Sequence, residues 1–448
     1  MKQTYSYKEK GKQFFFVLLP IFITQISLTA TGFADTVMAG HISEQDLAGV
    51  AVGSNLFMPF FGAFLGIISG LTPVISQLYG ANKPDKIRFI VKQGFYWSLM
   101  LAVVFILASF IFIPQVITGM DLEPKVAYIA HDYFFAIIAG IPPIFLAGVL
   151  RNFIDAHGYT RLTMLITILT VPINILANYT FMYGFGSLPA FGGVGAGIGS
   201  AVAFWLNFVL NVIAVKILHP FKDYRVFSHL PGPHFSEWKK QLGVGIPIGS
   251  TMFCEQSIFS AVALFMTTYG TTVVAAHQSA MNFTTMVYMI PLSAGITLTI
   301  LVGFEVGAKR YEDAAKYIKL GRGLTFVFEG SLAFILVQFR DEIASLYSTS
   351  PDVHPMLTTF LIFAVFLQLA DSLDAPLQGA LRGYKDVRVT FGLAILSYWI
   401  IGLPAGWIMA NYAGMGPYGY WISLIAGVIM GAICLSIRLR QVQRKFLT

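Results

Sequence analysis

The feature that most constrains the fold is the recurrence of long apolar segments. Stretches of about 20 residues, enough for a helix to cross roughly 30 Å of hydrocarbon, recur along all 448 residues with only short polar breaks between them. This pattern predicts an all-α polytopic membrane protein with twelve transmembrane helices, at 14–38, 47–79, 92–115, 126–151, 162–184, 194–218, 241–267, 273–304, 318–339, 353–380, 388–411 and 418–438.

Composition narrows the function classes. The chain is 56% hydrophobic and only 11% charged, so no segment remains for a sizeable soluble domain. Its two cysteines, Cys254 and Cys434, fall in predicted helices without a CxxC or Cys/His cluster, which argues against disulfides and structural zinc. Neither HExxH nor GxSxG occurs. We therefore expect no enzyme and no cofactor.

The basic residues predict the orientation. With both termini cytoplasmic, only Lys125 and Arg340 of the 29 Lys and Arg residues fall on the outer side. Cytoplasmic loops of membrane proteins carry an excess of Lys and Arg. The sorting thus supports the helix count and a cell-membrane location with cytoplasmic termini. The net charge of +7 follows from this topology, so no nucleic-acid partner is expected.

The chain also contains an internal repeat at a constant offset of 227 residues. This register relates Pro20 to Pro247, Asn55 to Asn282, Gly80-Ala81 to Gly307-Ala308, and Arg161-x-Thr163 to Arg388-x-Thr390. Each repeat holds six helices, an even number, so both halves insert with the same orientation. They are expected to form two six-helix bundles related by a pseudo-two-fold axis along the membrane normal.

The repeat and a polar segment in mid-chain predict the domain boundaries. The segment is rich in Pro, His and charged residues, as expected of a linker. We predict an N-terminal lobe over 1–218, a cytoplasmic loop over 219–240 and a C-terminal lobe over 241–448. Two such bundles suit alternating access, in which they rock about a central cavity.

Four carboxylates inside predicted helices are the candidate chemical groups. A carboxylate at mid-bilayer costs about 2.5–3.5 kcal/mol, and such residues usually face a pathway or a cavity. Because no Lys or Arg is predicted deep in any helix, these acids must be protonated, bind a metal ion or pair with a cationic substrate. The alternative is a protonated carboxyl that only hydrogen-bonds a neighbouring helix. The four are Asp35, Glu255, Asp371 and Asp374.

Neighbouring residues suggest how the acids work. Asp374 follows Asp371 by three positions, on nearly the same helix face, where two negative charges repel each other and favour proton exchange. Asn174 and Asn178, four apart on one face, can hydrogen-bond Asp35, although plain interhelical packing explains them as well. Pro20, fifteen residues before Asp35, is expected to bend the first helix.

Methionine and aromatic side chains near the acids suit an adaptable site for apolar cations. The alternative is that these side chains pack against lipid or other helices, as most of the 40 Phe and 16 Met must. The candidates are Phe57, Met58, Met252, Phe253, Phe283, Met289 and Trp399.

Over essentially its whole length the sequence resembles the multidrug and toxic compound extrusion (MATE) family, within it the NorM-like branch. The resemblance rests on Pro20 with Asp35, on Gln77-Leu-Tyr-Gly-Ala81, on Glu255, Tyr288 and Asp371, and on Gln378-Gly-Ala-Leu-Arg-Gly-Tyr-Lys-Asp386. It implies two six-helix lobes arranged in a V that extrude cationic, amphiphilic drugs in exchange for H⁺ or Na⁺.

The resemblance also implies residue roles. Glu255 and Asp371 correspond to the family's cation site, where Na⁺ is an option, with Tyr288 as a neighbour, and Asp35 corresponds to the protonated acid of the first lobe. Some sodium-using relatives carry a Tyr where this chain has Leu367, and some members carry an Asp where it has Asn178. We therefore expect protons to be the main driver.

The sequence leaves alternatives open. A lipid-linked saccharide flippase of the same superfamily is one, although such relatives usually have more helices and a basic cavity. A passive channel is the alternative from another class, and it does not explain acids deep in both halves. The expected partners are small cationic or amphiphilic drugs, H⁺ or Na⁺ and the lipid bilayer, and the protein is expected to act as a monomer.

Overall fold

The computed structural model describes residues 1–447, and within that range it contains helices and no β-strand. Twelve helices are long and apolar enough to cross a membrane, which confirms the predicted fold class. We number them α1 to α12: Tyr7–Gly40, Glu44–Gly80, Pro84–Gly119, Pro124–Ala156, Thr160–Tyr183, Val194–Ile217, Phe235–Tyr269, Thr271–Gly307, Tyr311–Gln338, Val353–Gly383, Val387–Asn411 and Pro417–Phe446.

The helix ends lie mostly outside the predicted ones, because hydropathy detects only the apolar part of a helix. The start of α1 is an example. Ser6 Oγ accepts the backbone N–H of Glu9 at 3.2 Å, and the Glu9 carboxylate accepts those of Tyr5 and Ser6 at 2.8 and 3.2 Å. This capping box fixes the helix start seven residues before the predicted position 14. The Ser-x-x-Glu signal was present in the sequence.

Several spans are locally irregular. Pro20 lies inside α1, and because proline has no backbone N–H, one intrahelical hydrogen bond is missing there. The α-helical part of α2 that starts at Glu44 ends at Ser69, and a second begins at Leu71 after Gly70. In α11, residues Ile395–Gly402 form a π-helix, a feature that often occurs at functional sites.

The chain forms two compact units. The repeat-1 unit is Ile23–Gly249, and the repeat-2 unit consists of Met1–Phe22 with the residues from Ser250 onward. Both boundaries follow a repeat-related proline by two residues, so the division obeys the internal repeat. It differs from the predicted division at 218 and 241, because two helices are shared between the units. The first segment of α1 belongs to the repeat-2 unit, and the first segment of α7 belongs to the repeat-1 unit.

Polar contacts explain why these helix segments change units. In the repeat-2 unit, the Thr4 and Tyr317 hydroxyls are hydrogen-bonded at 2.8 Å, and Lys10 Nζ lies 2.8 Å from Asp313 Oδ1. In the repeat-1 unit, Trp97 Nε1 donates to Gln241 Oε1 at 2.7 Å. Residues 219–240, predicted as an inter-lobe loop, contain the short 3₁₀ helix Phe221–Tyr224 and belong to the repeat-1 unit.

Glycines bring the helices of the repeat-2 unit together. A Cβ on Gly379 of α10 would lie only 2.0 Å from the carbonyl oxygen of Gly295 on α8. The two backbones therefore touch, as small residues allow in membrane helix pairs. This contact fixes α10, which carries the acids Asp371 and Asp374, against α8.

Candidate cation and proton site

Helices α7 and α10 bring two of the predicted carboxylates together through one amide. Gln378 Nε2 lies 2.6 Å from Glu255 Oε1 and 2.6 Å from Asp374 Oδ2. Each amide hydrogen thus points to a different carboxylate. Asp374 and Gln378 are about 5% exposed, so water contributes little to this arrangement. Both carboxylate oxygens thus approach the same amide nitrogen.

Arg382 extends this arrangement by one helical turn. It lies in the last turn of α10, and its guanidinium donates to Gln378 Oε1 at 3.1 Å. No Lys or Arg is predicted deep in a helix, and Arg382 lies at the helix end; it approaches the acids through Gln378, and among the described residues no salt bridge joins it to them. Gln378 lies four residues before Arg382 on the same face of α10, and long helical side chains point towards the N-terminal turn, so the guanidinium reaches the amide. Gln378 then connects the guanidinium to two carboxylates.

Tyrosines and a third acid surround the pair. Tyr288 on α8 and Tyr398 on α11 lie within electrostatic range of Glu255, Asp371 and Asp374. Asp371 is itself in range of Asp374 and Glu255. The cluster therefore draws on four helices, and the acids, the tyrosines and the arginine interact as one electrostatic group.

The repeat-1 unit holds the other predicted acid in a different setting. Asn178 Nδ2 on α5 donates to Asp35 Oδ1 on α1, and also to Asn174 Oδ1 at 3.2 Å. Asn178 is fully buried and Asn174 is 4% exposed. The predicted hydrogen bond from this amide face to Asp35 is thus present, and the role of Asp35 in proton binding stays a prediction.

Close helix packing fixes the position of Asn178. A Cβ on Gly199 of α6 would lie 2.0 Å from Asn178 Oδ1 and 2.6 Å from its backbone nitrogen. Only glycine leaves room for the amide at this crossing of α5 and α6. Tyr133 on α4 adds a further polar neighbour, because it lies within electrostatic range of Asp35.

Two observations bear on the identity of the cation. Leu367, one turn before Asp371, is fully buried and supplies no oxygen ligand. Among residues 1–447, no group of three or more His, Cys, Asp or Glu side chains is arranged to hold a metal ion. With the Gln378 amide between them, Glu255 and Asp374 are paired with a hydrogen-bond donor in this conformation.

The predicted apolar lining residues differ in their surroundings. Phe57 is 1% exposed and stacks on Phe61 with ring centroids 4.8 Å apart, so the structure favours packing in the repeat-1 core over cavity lining. Trp399 donates its indole N–H to the carbonyl of Cys254 at 3.3 Å, beside Glu255. Met58 is 47% exposed. Partly buried positions hold Met252, Phe253, Phe283 and Met289.

Sequence reasoning missed Gln378, Arg382 and Tyr398. A signal for the first two was present, because Asp374, Gln378 and Arg382 recur at intervals of four and so share one face of α10. No comparable signal marks Tyr398. It lies in the π-helical part of α11, and only the packing of that helix places its side chain near the acids.

Comparison with known proteins identifies the class. The MatE family model matches residues 20–180 and 247–408, one match in each repeat. A probable multidrug resistance protein NorM from Halalkalibacterium halodurans is 46% identical over 100% of this chain and 97% of its own length. Another protein of that name, from Bacillus subtilis, is 42% identical over 100% of this chain and 99% of its own.

Solved structures share the fold. The eukaryotic MATE transporter AtDTX14 superposes with a TM-score of 0.87 at 19% identity, covering 98% of both chains. An outward-facing multidrug resistance MATE transporter of the MOP superfamily gives 0.86 at 19% identity, covering 99% of this chain and all of its own. The twelve apolar helices and the match to the MatE family define a multi-pass membrane protein of the transporter class. The chain belongs to the MATE family, in its NorM-like branch.

Proposed function

We propose that this protein is a secondary active multidrug efflux transporter that exchanges cationic, amphiphilic compounds for protons by alternating access. The observation that carries the proposal is the pair formed by the partly buried Glu255 and the buried Asp374, linked by the Gln378 amide. The MATE relatives support it, because the curated ones are named as probable multidrug resistance proteins.

The geometry suggests how exchange works. Arg382 and Gln378 together direct positive charge and N–H groups at the carboxylates, and this partly offsets the cost of burying them. A cationic drug that enters offers a stronger electrostatic partner than a neutral amide. A proton that binds a carboxylate removes the charge that held the drug. Protonation from outside then releases the drug, and deprotonation towards the cytoplasm restores the site.

Protons rather than sodium are the proposed coupling ion. A sodium site needs several well-placed oxygen ligands, and the buried Leu367 supplies none. Asp35 also fits proton exchange, because a neutral amide, that of Asn178, donates a hydrogen bond to it.

The proposed orientation places both termini in the cytoplasm of a cell membrane. The basic residues of the short loops favour it, since all Lys and Arg except Lys125 and Arg340 then lie on the inner side. In a chain without Cys254 and Cys434, single cysteines within 40–46, 185–192 or 412–416 should react with an impermeant thiol reagent outside intact cells, and cysteines within 222–236 should not. The reverse labelling would overturn this orientation.

Transport in everted vesicles tests the exchange itself. Purified protein is reconstituted or vesicles are prepared from expressing cells, and uptake of a fluorescent organic cation is followed under a pH gradient alone and a sodium gradient alone. The proposal expects uptake with the pH gradient that a protonophore abolishes. Uptake driven only by sodium would contradict proton coupling, and equilibration of the dye without either gradient would indicate a passive channel.

A further inference from the structure

A basic cavity in the repeat-1 unit is lined by none of the residues of the acid sites. Its volume is about 350 Å³, and it forms where α6 ends and the following loop folds back. Val215, Phe221 and Val226 are buried and make an apolar floor. Three exposed cations, Lys216, Lys222 and Arg225, contribute to its lining together with Ser228.

The charge of this cavity is not neutralised within the protein. Among the described residues that line it there is no carboxylate, and none of the three cations appears in a salt bridge of residues 1–447. The nearest acid in sequence, Asp223, accepts a hydrogen bond from His219 at 2.9 Å and lines a neighbouring cavity instead. The three positive charges are therefore available for an anion.

The loop that carries these cations is held in place. Phe227 stacks on Phe95 with centroids 5.8 Å apart and an interplanar angle of 9°, and Lys216 Nζ lies 5.5 Å above the Phe227 ring. Lys92 on α3 donates to the carbonyls of Ser228 and His229. Arg225 has a left-handed backbone conformation with φ of +47°. Packing and hydrogen bonds thus preform the cavity before any ligand binds.

The surroundings identify the ligand class. Next to the cavity, at the end of α6, Ile213, Ile217 and Leu218 are 46%, 63% and 42% exposed. Such side chains on a membrane helix face lipid acyl chains. A ligand bound here would therefore contact cations and a hydroxyl at one end and hydrocarbon at the other. A free phosphate would contact only the cations and the hydroxyl, whereas a phospholipid would contact the hydrocarbon side chains as well.

We propose that this cavity binds the phosphate headgroup of an anionic phospholipid, with its acyl chains along the exposed face of α6. Lys216, Lys222 and Arg225 contact the phosphate, and the apolar floor accommodates the glycerol end of the headgroup. This site is independent of the coupling ion, because it uses none of the residues of the acid clusters. Its test therefore does not depend on whether transport is driven by H⁺ or Na⁺.

Lipid binding to the delipidated full-length protein tests the proposal. Binding of phosphatidylglycerol is measured by native mass spectrometry, with phosphatidylcholine and inorganic phosphate as separate probes. The triple variant Lys216→Gln/Lys222→Gln/Arg225→Gln should bind phosphatidylglycerol at least tenfold more weakly, given roughly fivefold per cation near a membrane surface. The charge-preserving variant Lys216→Arg/Lys222→Arg/Arg225→Lys should stay within about threefold of the parent, less than the effect of losing one cation.

The matched control removes the same charge elsewhere. Lys83, Lys86 and Lys239 are exposed and do not line the cavity, so their change to Gln should leave binding nearly unchanged. Equal weakening in both triple variants would overturn the proposal, since net charge alone would then explain binding. Phosphatidylcholine binding as tight as phosphatidylglycerol, or competition by inorganic phosphate at the concentration of the lipid, would also overturn it. If the triple variant is lost in purification, Lys222→Gln alone gives the same comparison with Lys239→Gln.

Discussion

The two repeats carry their acids at different positions, although one register relates them. The counterpart of Asp35 is Val262, which is 1% exposed in the repeat-2 core, and the counterpart of Glu255 is Leu28, which is 46% exposed. Internal symmetry thus preserved the scaffold and not the chemistry. The repeat-1 unit has one acid held by an amide, and the repeat-2 unit has three acids, two of which lie within electrostatic range of a guanidinium.

The same comparison is sharpest in α4 and α10. The register relates Arg151 to Gln378 and Asp155 to Arg382. In α4, Arg151 Nε lies 3.6 Å from Asp155 Oδ2, so the cation is balanced by an acid on its own helix. In α10, Arg382 stands where α4 has Asp155, and it donates to Gln378, one turn nearer the start of the helix. These two exchanges direct positive charge towards the acid cluster of one repeat only.

The largest expected effect comes from removing the acids of the repeat-2 unit. Glu255→Gln and Asp371→Asn should each abolish drug efflux while expression and membrane insertion persist, because an amide keeps the size of the side chain and cannot exchange a proton. Drug resistance of expressing cells and vesicle uptake measure this. Asp341→Asn, an exposed acid, is the control and should behave as the parent. Parental resistance in both site variants would exclude the repeat-2 cluster as the coupling site.

An intermediate effect is expected from Arg382. Arg382→Gln removes a charged hydrogen-bond donor to Gln378, an interaction worth about 1.5–3 kcal/mol, so we expect roughly tenfold slower uptake or more. Arg382→Lys should retain part of the activity, since the charge persists without the planar fork.

The repeat supplies the control for this variant. Arg151→Gln removes the arginine of the corresponding part of α4, one turn before the counterpart of Arg382, where it faces Asp155 and no transport acid. Arg151 is partly exposed and the buried Asp155 also accepts from the Thr163 hydroxyl at 2.6 Å, so we expect a loss of about 1 kcal/mol at most, or about fivefold in uptake. If both variants lose activity equally, the arginine of α10 has no special link to the carboxylates.

The smallest expected effect comes from the packing around Asp35. Gly199→Ala should displace the Asn178 amide and weaken its hydrogen bond to Asp35, which is worth about 1 kcal/mol and predicts a severalfold reduction in uptake. Gly323→Ala on α9 is the matched control, because a Cβ there meets no atom within 4 Å. Equal uptake by the two variants would show that Asp35 does not need this amide.

The twelve helices, their approximate bounds and the four acids followed from the sequence, because hydrocarbon thickness and the cost of a buried charge act on local composition. The link from Arg382 through Gln378 to Glu255 and Asp374 did not follow from the sequence. It depends on which helix faces meet, and the hydropathy of α10 assigns Arg382 to a loop. The division of α1 and α7 between units was likewise hidden, since contacts such as Trp97 with Gln241 join residues distant in sequence.

The central claim is that a proton and a cationic drug compete for the same carboxylates. The most direct measurement is the affinity of the detergent-solubilised protein for a permanently charged dye between about pH 5 and 8, with and without sodium. Carboxylates lose protons as the pH rises, so the affinity should increase with pH and be nearly independent of sodium. Asp35→Asn should flatten this dependence if the repeat-1 acid holds the competing proton. An affinity that is constant with pH and weakened by sodium would contradict proton coupling and assign the driving role to Na⁺ at Glu255 and Asp371.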